Sequence, residues 1–178
     1  GMEFLIVSGL SGGGKSRAAD VLEDLDFYCV DNMPAALLTK FAELCLATRG
    51  RYEKVALVTD IRSQESFTEL LAALDELADS LSEADSGGRL KLASQKFYFA
   101  GLVACIENLC LSPHGVSSIE RSARMRDMLE APRTRQMVAA LKDNHRGLGL
   151  LFGPIASAKP ACCVMCTHLA AFLNRTGA

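Results

Sequence analysis

Gly9-Leu10-Ser11-Gly12-Gly13-Gly14-Lys15-Ser16 packs four glycines, a lysine and two serines into eight residues, between an unbroken apolar run and the start of a helical period. The run is Glu3 to Ser8, the pattern of a short parallel strand buried on both faces. After the glycines, Ala18, Val21, Leu22 and Leu25 recur at i, i+3, i+4 and i+7, so a helix starting near Lys15 would turn one apolar stripe toward that strand. Strand, glycine turn and helix in this order fit the G-x-x-x-x-G-K-[ST] loop known as Walker A. Glycines let successive backbone N–H groups converge on phosphate oxygens, and the positive end of the helix dipole adds to the attraction. In such a loop Lys15 reaches the β- and γ-phosphates, and the Ser16 hydroxyl is a hard oxygen ligand suited to Mg²⁺.

Two further apolar runs repeat the alternation. Phe27 to Val30 reads as a strand closed by Asp31-Asn32-Met33-Pro34, and Val55 to Thr59 as a third that ends on Asp60. Between them Leu37, Leu38, Phe41, Leu44 and Cys45 share a helical face that stops at Gly50. Beyond Asp60, Phe67, Leu70, Leu71, Leu74, Leu77, Ala78 and Leu81 keep helical spacing over four turns. Strands alternating with helices predict an α/β fold, a parallel sheet covered by helices in the three-layer, kinase-like manner of P-loop NTPases. Ligands of such sheets lie outside the C-terminal strand ends, so Gly9, Asp31 and Asp60 would converge on one crevice. Asp60 has the form of a Walker B acid that holds Mg²⁺ through water, or it caps the next helix, for which Ser63 serves equally well. Asp31 and Asn32 stand where a small-molecule kinase holds its acceptor, Asp31 being a candidate base, or they form a cap and turn before Pro34. Arg62 is a phosphate or base contact, or a surface ion-pair partner.

The chain of 178 residues is 49% apolar and 22% charged, enough for one globular domain over 1–178 with 1–85 as the nucleotide-binding core and 86–178 as a helix-rich remainder. No apolar stretch reaches the ~20 residues that cross a bilayer, so no membrane partner is expected. The formal charge of −2 conceals an acidic first half, 8 Lys/Arg against 16 Asp/Glu up to residue 89, and a basic second half, 11 against 5. That balance disfavours wholesale coating of nucleic acid but leaves room for a local anion site.

In the second half Ser82 to Gly88 reads as a loop, Phe97 to Phe99 as a candidate fourth strand, Ser118 to Asn144 as helical apart from Pro132, Leu148 to Phe152 as a candidate strand, and Ala161 to Leu173 as a closing helix. Arg121, Arg124, Arg126, Arg133 and Arg135 are the candidates for lid arginines, against the plainer reading of a solvated basic face. Seven cysteines at irregular spacing predict reduced cytoplasmic thiols. Cys162, Cys163 and Cys166 lack a second pair at zinc spacing and read as small buried hydrophobes; His114 and His145 read as loop residues.

The segments Leu5 to Ser16, Val21 to Pro34 with its Phe-Tyr-Cys-Val-Asp-Asn-Met-Pro run, and Thr59-Asp-Ile-Arg-Ser63 resemble the N-terminal half of the RapZ/YvcJ family of bacterial P-loop proteins over about residues 2–80. The resemblance implies binding of ATP and GTP with slow Mg²⁺-dependent hydrolysis and a regulatory purpose, Gly9 to Ser16 holding the phosphates and Asp60, Ile61, Arg62 and Ser63 matching a stretch associated with guanine nucleotide. It also implies a small regulatory RNA or a protein as partner. The family's C-terminal domain, credited with RNA and sugar-phosphate recognition, is not expected within this length, and the family's Thr-Arg-Arg-x-His-Pro-Leu segment is not found. A small-molecule kinase and a non-catalytic RNA- or protein-binding adapter are the alternatives.

Overall fold

Each strand–helix step of the first ninety residues ends on a residue that breaks or caps, and the folded chain follows that punctuation closely. The computed structural model describes residues 3–9, 15–48, 52–60, 64–83, 87–111 and 116–176. The chain divides into two compact units, Gly1–Lys91 and Leu92–Ala178.

The first unit is α/β. Its strands are β1 (Glu3–Gly9), β2 (Tyr28–Asp31) and β3 (Lys54–Asp60); its helices are α1 (Lys15–Asp24), α2 (Leu38–Ala47), after a 3-10 turn at Ala35–Leu37, and α3 (Gln64–Ser80). The sheet is parallel in the order β1-β3-β2, so β3 is central, and its Val55 to Val58 are at most 4% exposed. Register pairs Leu5 with Ala56 and Ile6 with Leu57 on one side of β3, and Cys29 with Ala56 on the other. Alternation then sorts the side chains into two faces. One carries Cys29, whose thiol lies 3.6 Å from the Ala19 carbonyl of α1. The other carries Ile6 and Leu57, which border a cleft with Leu38 of α2 and Leu70 of α3. Helices α2 and α3 pack on each other, tied by a 3.0 Å hydrogen bond from Ser80 Oγ to Glu43 Oε1.

Helical faces follow the sequence pattern unevenly. In α3 Leu70, Leu74, Leu77 and Ala78 are buried as predicted. In α2 the inward row is Leu38, Ala42 and Cys45, while Leu37 and Leu44 are exposed. Helix α1 ends at Asp24, leaving Leu25 in the following turn, and Val21 on it is 58% exposed.

The second unit is helical throughout its described residues: α4 (Arg89–Leu111, which begins just before the unit), α5 (Ser118–Glu130), α6 (Pro132–Leu141), α7 (Phe152–Ala156) and α8 (Pro160–Thr176). Neither candidate strand forms. Phe97 to Phe99 lies inside α4, where Phe99, Leu102, Ile106 and Cys110 make a buried row at helical spacing that outweighs three aromatic residues' preference for a strand. Leu148 to Phe152 is turn and helix start, because Gly147 and Gly149 take φ of +87° and +84° and bend the backbone away from extension. The helical reading of Ser118 to Asn144 and the closing helix do form. Ser117 caps α5 by accepting from the Glu120 N–H, and Pro132 sits in the first turn of α6. The core joins Phe99, Ile106, Met125, Leu129, Met137, Leu141, Ile155 and Cys163.

Candidate functional site

Of the sequence-predicted site residues, Gly9, Asp31 and Asp60 end strands at the C-terminal edge of the sheet. Gly9 closes β1, Asp60 closes β3, and the two are register partners in adjacent parallel strands, about 4.8 Å apart as neighbouring strands are. Helices α1 and α3, which follow these strands, lie toward opposite faces of the sheet, and it is at such a divergence that ligands of parallel sheets bind. The motif's local context is present: β1 ends at Gly9 and α1 begins at Lys15. Leu10, Ser11, Gly12, Gly13 and Gly14 lie outside the described residues, as do Ile61, Arg62 and Ser63.

Lys15 and Ser16 are the first two residues of α1, Lys15 partly buried and Ser16 exposed. No acidic side chain occupies the first turn of α1, so nothing on that helix opposes the positive end of its dipole.

Asp31 ends β2 as the register partner of Val58, two residues short of Asp60, and is exposed. From strand spacing and rise, its Cα lies about 8 Å from that of Asp60 and about 12 Å from that of Gly9. It therefore stands across β3 from the loop. The next residue, Asn32, donates its N–H to the Val58 carbonyl at 2.9 Å, which extends the ladder by one bond, and then turns the chain with a left-handed φ of +53°. Asn is among the residues that accept that conformation most readily. Of the two sequence readings of Asn32, an acceptor-holding residue or a cap and turn before Pro34, this geometry fits the turn; the bond to Val58 was in neither.

Behind this turn, Ile6, Met33, Pro34, Ala35, Leu38, Leu57, Thr59 and Leu70 line a cleft that is almost wholly apolar and has room for little more than a water. It offers a phosphoryl acceptor neither space nor polar anchors.

Of the five candidate lid arginines, two hold the second unit together. Arg135 donates to the Ala156 and Ile155 carbonyls at 2.9 and 2.6 Å, satisfying the end of α7. Arg133 lies over the Tyr98 ring and reaches Ser94 Oγ at 3.4 Å, beside a hydrogen bond joining Tyr98 and Thr134. Arg124 pairs with Glu120 on the exposed face of α5. All seven cysteines are free thiols, and among the described residues no group of three or more His, Cys, Asp or Glu is arranged to hold a metal ion. Burial, reinforced by the neighbouring thiols Cys166, Cys110 and Cys162, pushes the Cys163 thiol up to about 11. His145 stacks on Phe152 with ring centroids 5.0 Å apart; His114 is outside the described residues. No helix is long and apolar enough to cross a membrane among the described residues.

Comparison with known proteins matches the same stretch that carries the motif. Residues 2–85 match the family model of the RapZ-like N-terminal domain, which bears out the resemblance read in the sequence. The chain is 51% identical over 79 residues to a "Nucleotide-binding protein" of Alkaliphilus oremlandii, covering 44% of this chain and 27% of that protein. It is 55% identical over 76 residues to a protein of the same name from Carboxydothermus hydrogenoformans, covering 43% and 26%. The chain thus spans about a quarter of the length of the curated relatives it matches. No solved structure matches it.

Proposed function

We propose that the first unit binds a nucleoside triphosphate, ATP or GTP, by its phosphate tail at the crevice between β1 and β3, and hydrolyses it slowly in a kinase-like P-loop fold. The observation that carries the reading is the placement of Gly9 beside Asp60 at the sheet edge, with Lys15 and Ser16 opening α1 on the far side of a five-residue glycine loop. In this reading the amides of Gly9 to Ser16, with Leu10, Ser11, Gly12, Gly13 and Gly14 between them, wrap the phosphates, and Lys15 sets its ammonium against the β- and γ-oxygens. Ser16 and Asp60 carry hard oxygen donors, a donor set that fits Mg²⁺. Held by Ser16 and Asp60, Mg²⁺ would supply positive charge to offset that of the triphosphate tail. Lys15 and the loop amides stabilise the charge that grows on the γ-phosphoryl oxygens as water attacks. Ile61, Arg62 and Ser63 follow Asp60 and are assigned to the base or to a phosphate edge. The names of the relatives support a nucleotide as ligand.

Asp31, across β3 from the loop, belongs on the acceptor side of the edge rather than beside the attacking water. The cleft on the α2 and α3 side of the sheet, the face opposite to that of Asp31, is small and apolar and offers the small-molecule kinase alternative no acceptor pocket there. A regulatory role in the cytoplasm, where the seven thiols stay reduced, completes the proposal. The test is the Lys15→Ala variant. Removal of the ammonium should lower ATP and GTP affinity at least about tenfold, the scale of a lost charged contact, with an unchanged circular dichroism spectrum. Equal affinity in that variant would overturn the assignment.

A further inference from the structure

We propose that the outer edge of β1 is a pairing surface for a second copy of this chain, which adds its own β1 antiparallel and joins two three-stranded sheets into one of six strands. Among the described residues β1 has a strand on one side only. In doubly wound sheets the strand that feeds the phosphate loop is interior, with neighbours on both sides. Here no strand of the first unit's described residues lies beyond it. Helix α3 lies on the sheet face from which a right-handed return would deliver the next strand beyond β1, yet the next element of the chain is the helix α4. Burial reports the same incompleteness: Phe4, Leu5, Ile6 and Val7 are only partly buried, whereas Val55 to Val58 in β3 are 0 to 4% exposed.

Natural edge strands guard themselves with lysine, proline, bulges or brevity. Strand β1 has none of these. It is seven residues long, pairs with β3 in unbroken register, and carries a single charge, Glu3, at its start. The N–H and C=O groups that β1 turns away from β3 suit an extended segment, and its own sequence supplies a self-complementary one. With a twofold axis at Ile6, all seven residues pair: Ile6 meets Ile6, Leu5 meets Val7, Phe4 meets Ser8, and Glu3 meets Gly9 of the second copy. The one charge never faces its counterpart, and apolar β-formers sit opposite each other, which is the favourable cross-strand arrangement. A twofold axis normal to the sheet keeps each face with its own kind, so the Leu5 and Val7 row and the Phe4 and Ile6 row both continue across the join.

Sedimentation of the full chain over a wide concentration range, together with residue-specific cross-linking, tests the proposal. The wild-type chain should sediment as a concentration-dependent dimer. Residues directly opposite in an antiparallel pair have Cα atoms about 4.5 to 5.5 Å apart, within disulfide range, whereas two copies of residue 4 would lie about 14 Å apart. Mild oxidation should therefore link Ile6→Cys chains through position 6, read by mass spectrometry of the peptide, and leave Phe4→Cys chains unlinked at position 4. Where Ile6→Cys fails to give the wild-type circular dichroism spectrum, the double variant Leu5→Cys/Val7→Cys carries the same reading through a 5-to-7 link. A wild-type monomer at every concentration overturns the proposal, and so does a dimer in which the folded cysteine variants give neither link.

Discussion

Gly9 and Asp60 end neighbouring parallel strands as register partners, so the last backbone position before the glycine loop lies one strand-spacing from the acid that closes the central strand. In the proposed site a carboxylate there would act on bound Mg²⁺ and not on the phosphates themselves. Asp60→Asn should weaken nucleotide binding about tenfold to a hundredfold in the presence of Mg²⁺, the cost typical of disturbed outer-sphere support, and leave Mg²⁺-free binding unchanged. Paired titrations with Mg²⁺ and with a chelator separate the two; equal losses in both would place Asp60 outside the metal site.

Asn32 sets the turn after β2 by combining the Val58 hydrogen bond with a left-handed φ of +53°. Glycine enters that region freely, whereas a β-branched residue is strained there. Asn32→Gly should keep stability within about 0.5 kcal/mol, and Asn32→Val should cost about 1–3 kcal/mol. Urea unfolding of the two variants gives the comparison, and equal destabilisation would contradict a conformational role.

Arg135 closes the end of α7 through two carbonyls, which gives it a structural task in the second unit. Hydrogen bonds to charged groups contribute about 1.5–3 kcal/mol, so Arg135→Ala should lower the second unit's stability by at least that much. Lysine lacks the fork that reaches both carbonyls, so Arg135→Lys should recover less than half of the loss. Nucleotide affinity should not move in either variant. Thermal unfolding with a parallel ATP titration checks both halves, and a loss of affinity would restore the lid-arginine reading.

Cys163 titrates near 11 because its burial penalises the thiolate. An unfolded thiol ionises near 9, so between about pH 9 and 11 the unfolded chain has lost a proton that the folded chain keeps. Stability from this group is full below pH 9 and is lost as pH rises toward 11, by about 3 kcal/mol in all. Cys163→Ala should flatten that part of the stability curve. At pH 8 a thiol reagent should modify exposed Cys105 readily and leave Cys163 and Cys110 untouched until the chain unfolds.

The strength of the sequence signal tracks how long each pattern runs. Val55 to Thr59 is a continuous apolar run that no amphipathic helix would carry, and it became the most buried strand. Over four turns, Phe67 to Leu81 left no choice of period. Phe97 to Phe99 spans too few residues to distinguish a period of two from 3.6, and the deciding row, Phe99, Leu102, Ile106 and Cys110, lies mostly downstream of it. Leu37 and Leu44 obeyed the helical spacing, but the inward face of α2 was set by what it met, and it rotated to Leu38, Ala42 and Cys45. The places of Gly9, Lys15, Ser16 and Asp60 at element ends were legible because breakers and caps punctuate the sequence there. The backbone bond from Asn32 to Val58 was not, because it depends on register across strands, which no local pattern encodes.

Calorimetric titration of the wild-type chain with ATP, GTP, adenosine and guanosine, each with and without Mg²⁺, bears most directly on whether this sheet edge recognises a polyphosphate. Recognition through the loop amides and Lys15 predicts saturable binding of ATP or GTP that Mg²⁺ tightens, and no detectable binding of either nucleoside. Nucleosides that bind as tightly as the triphosphates, or triphosphates that give no heat of binding in a folded chain, would contradict it.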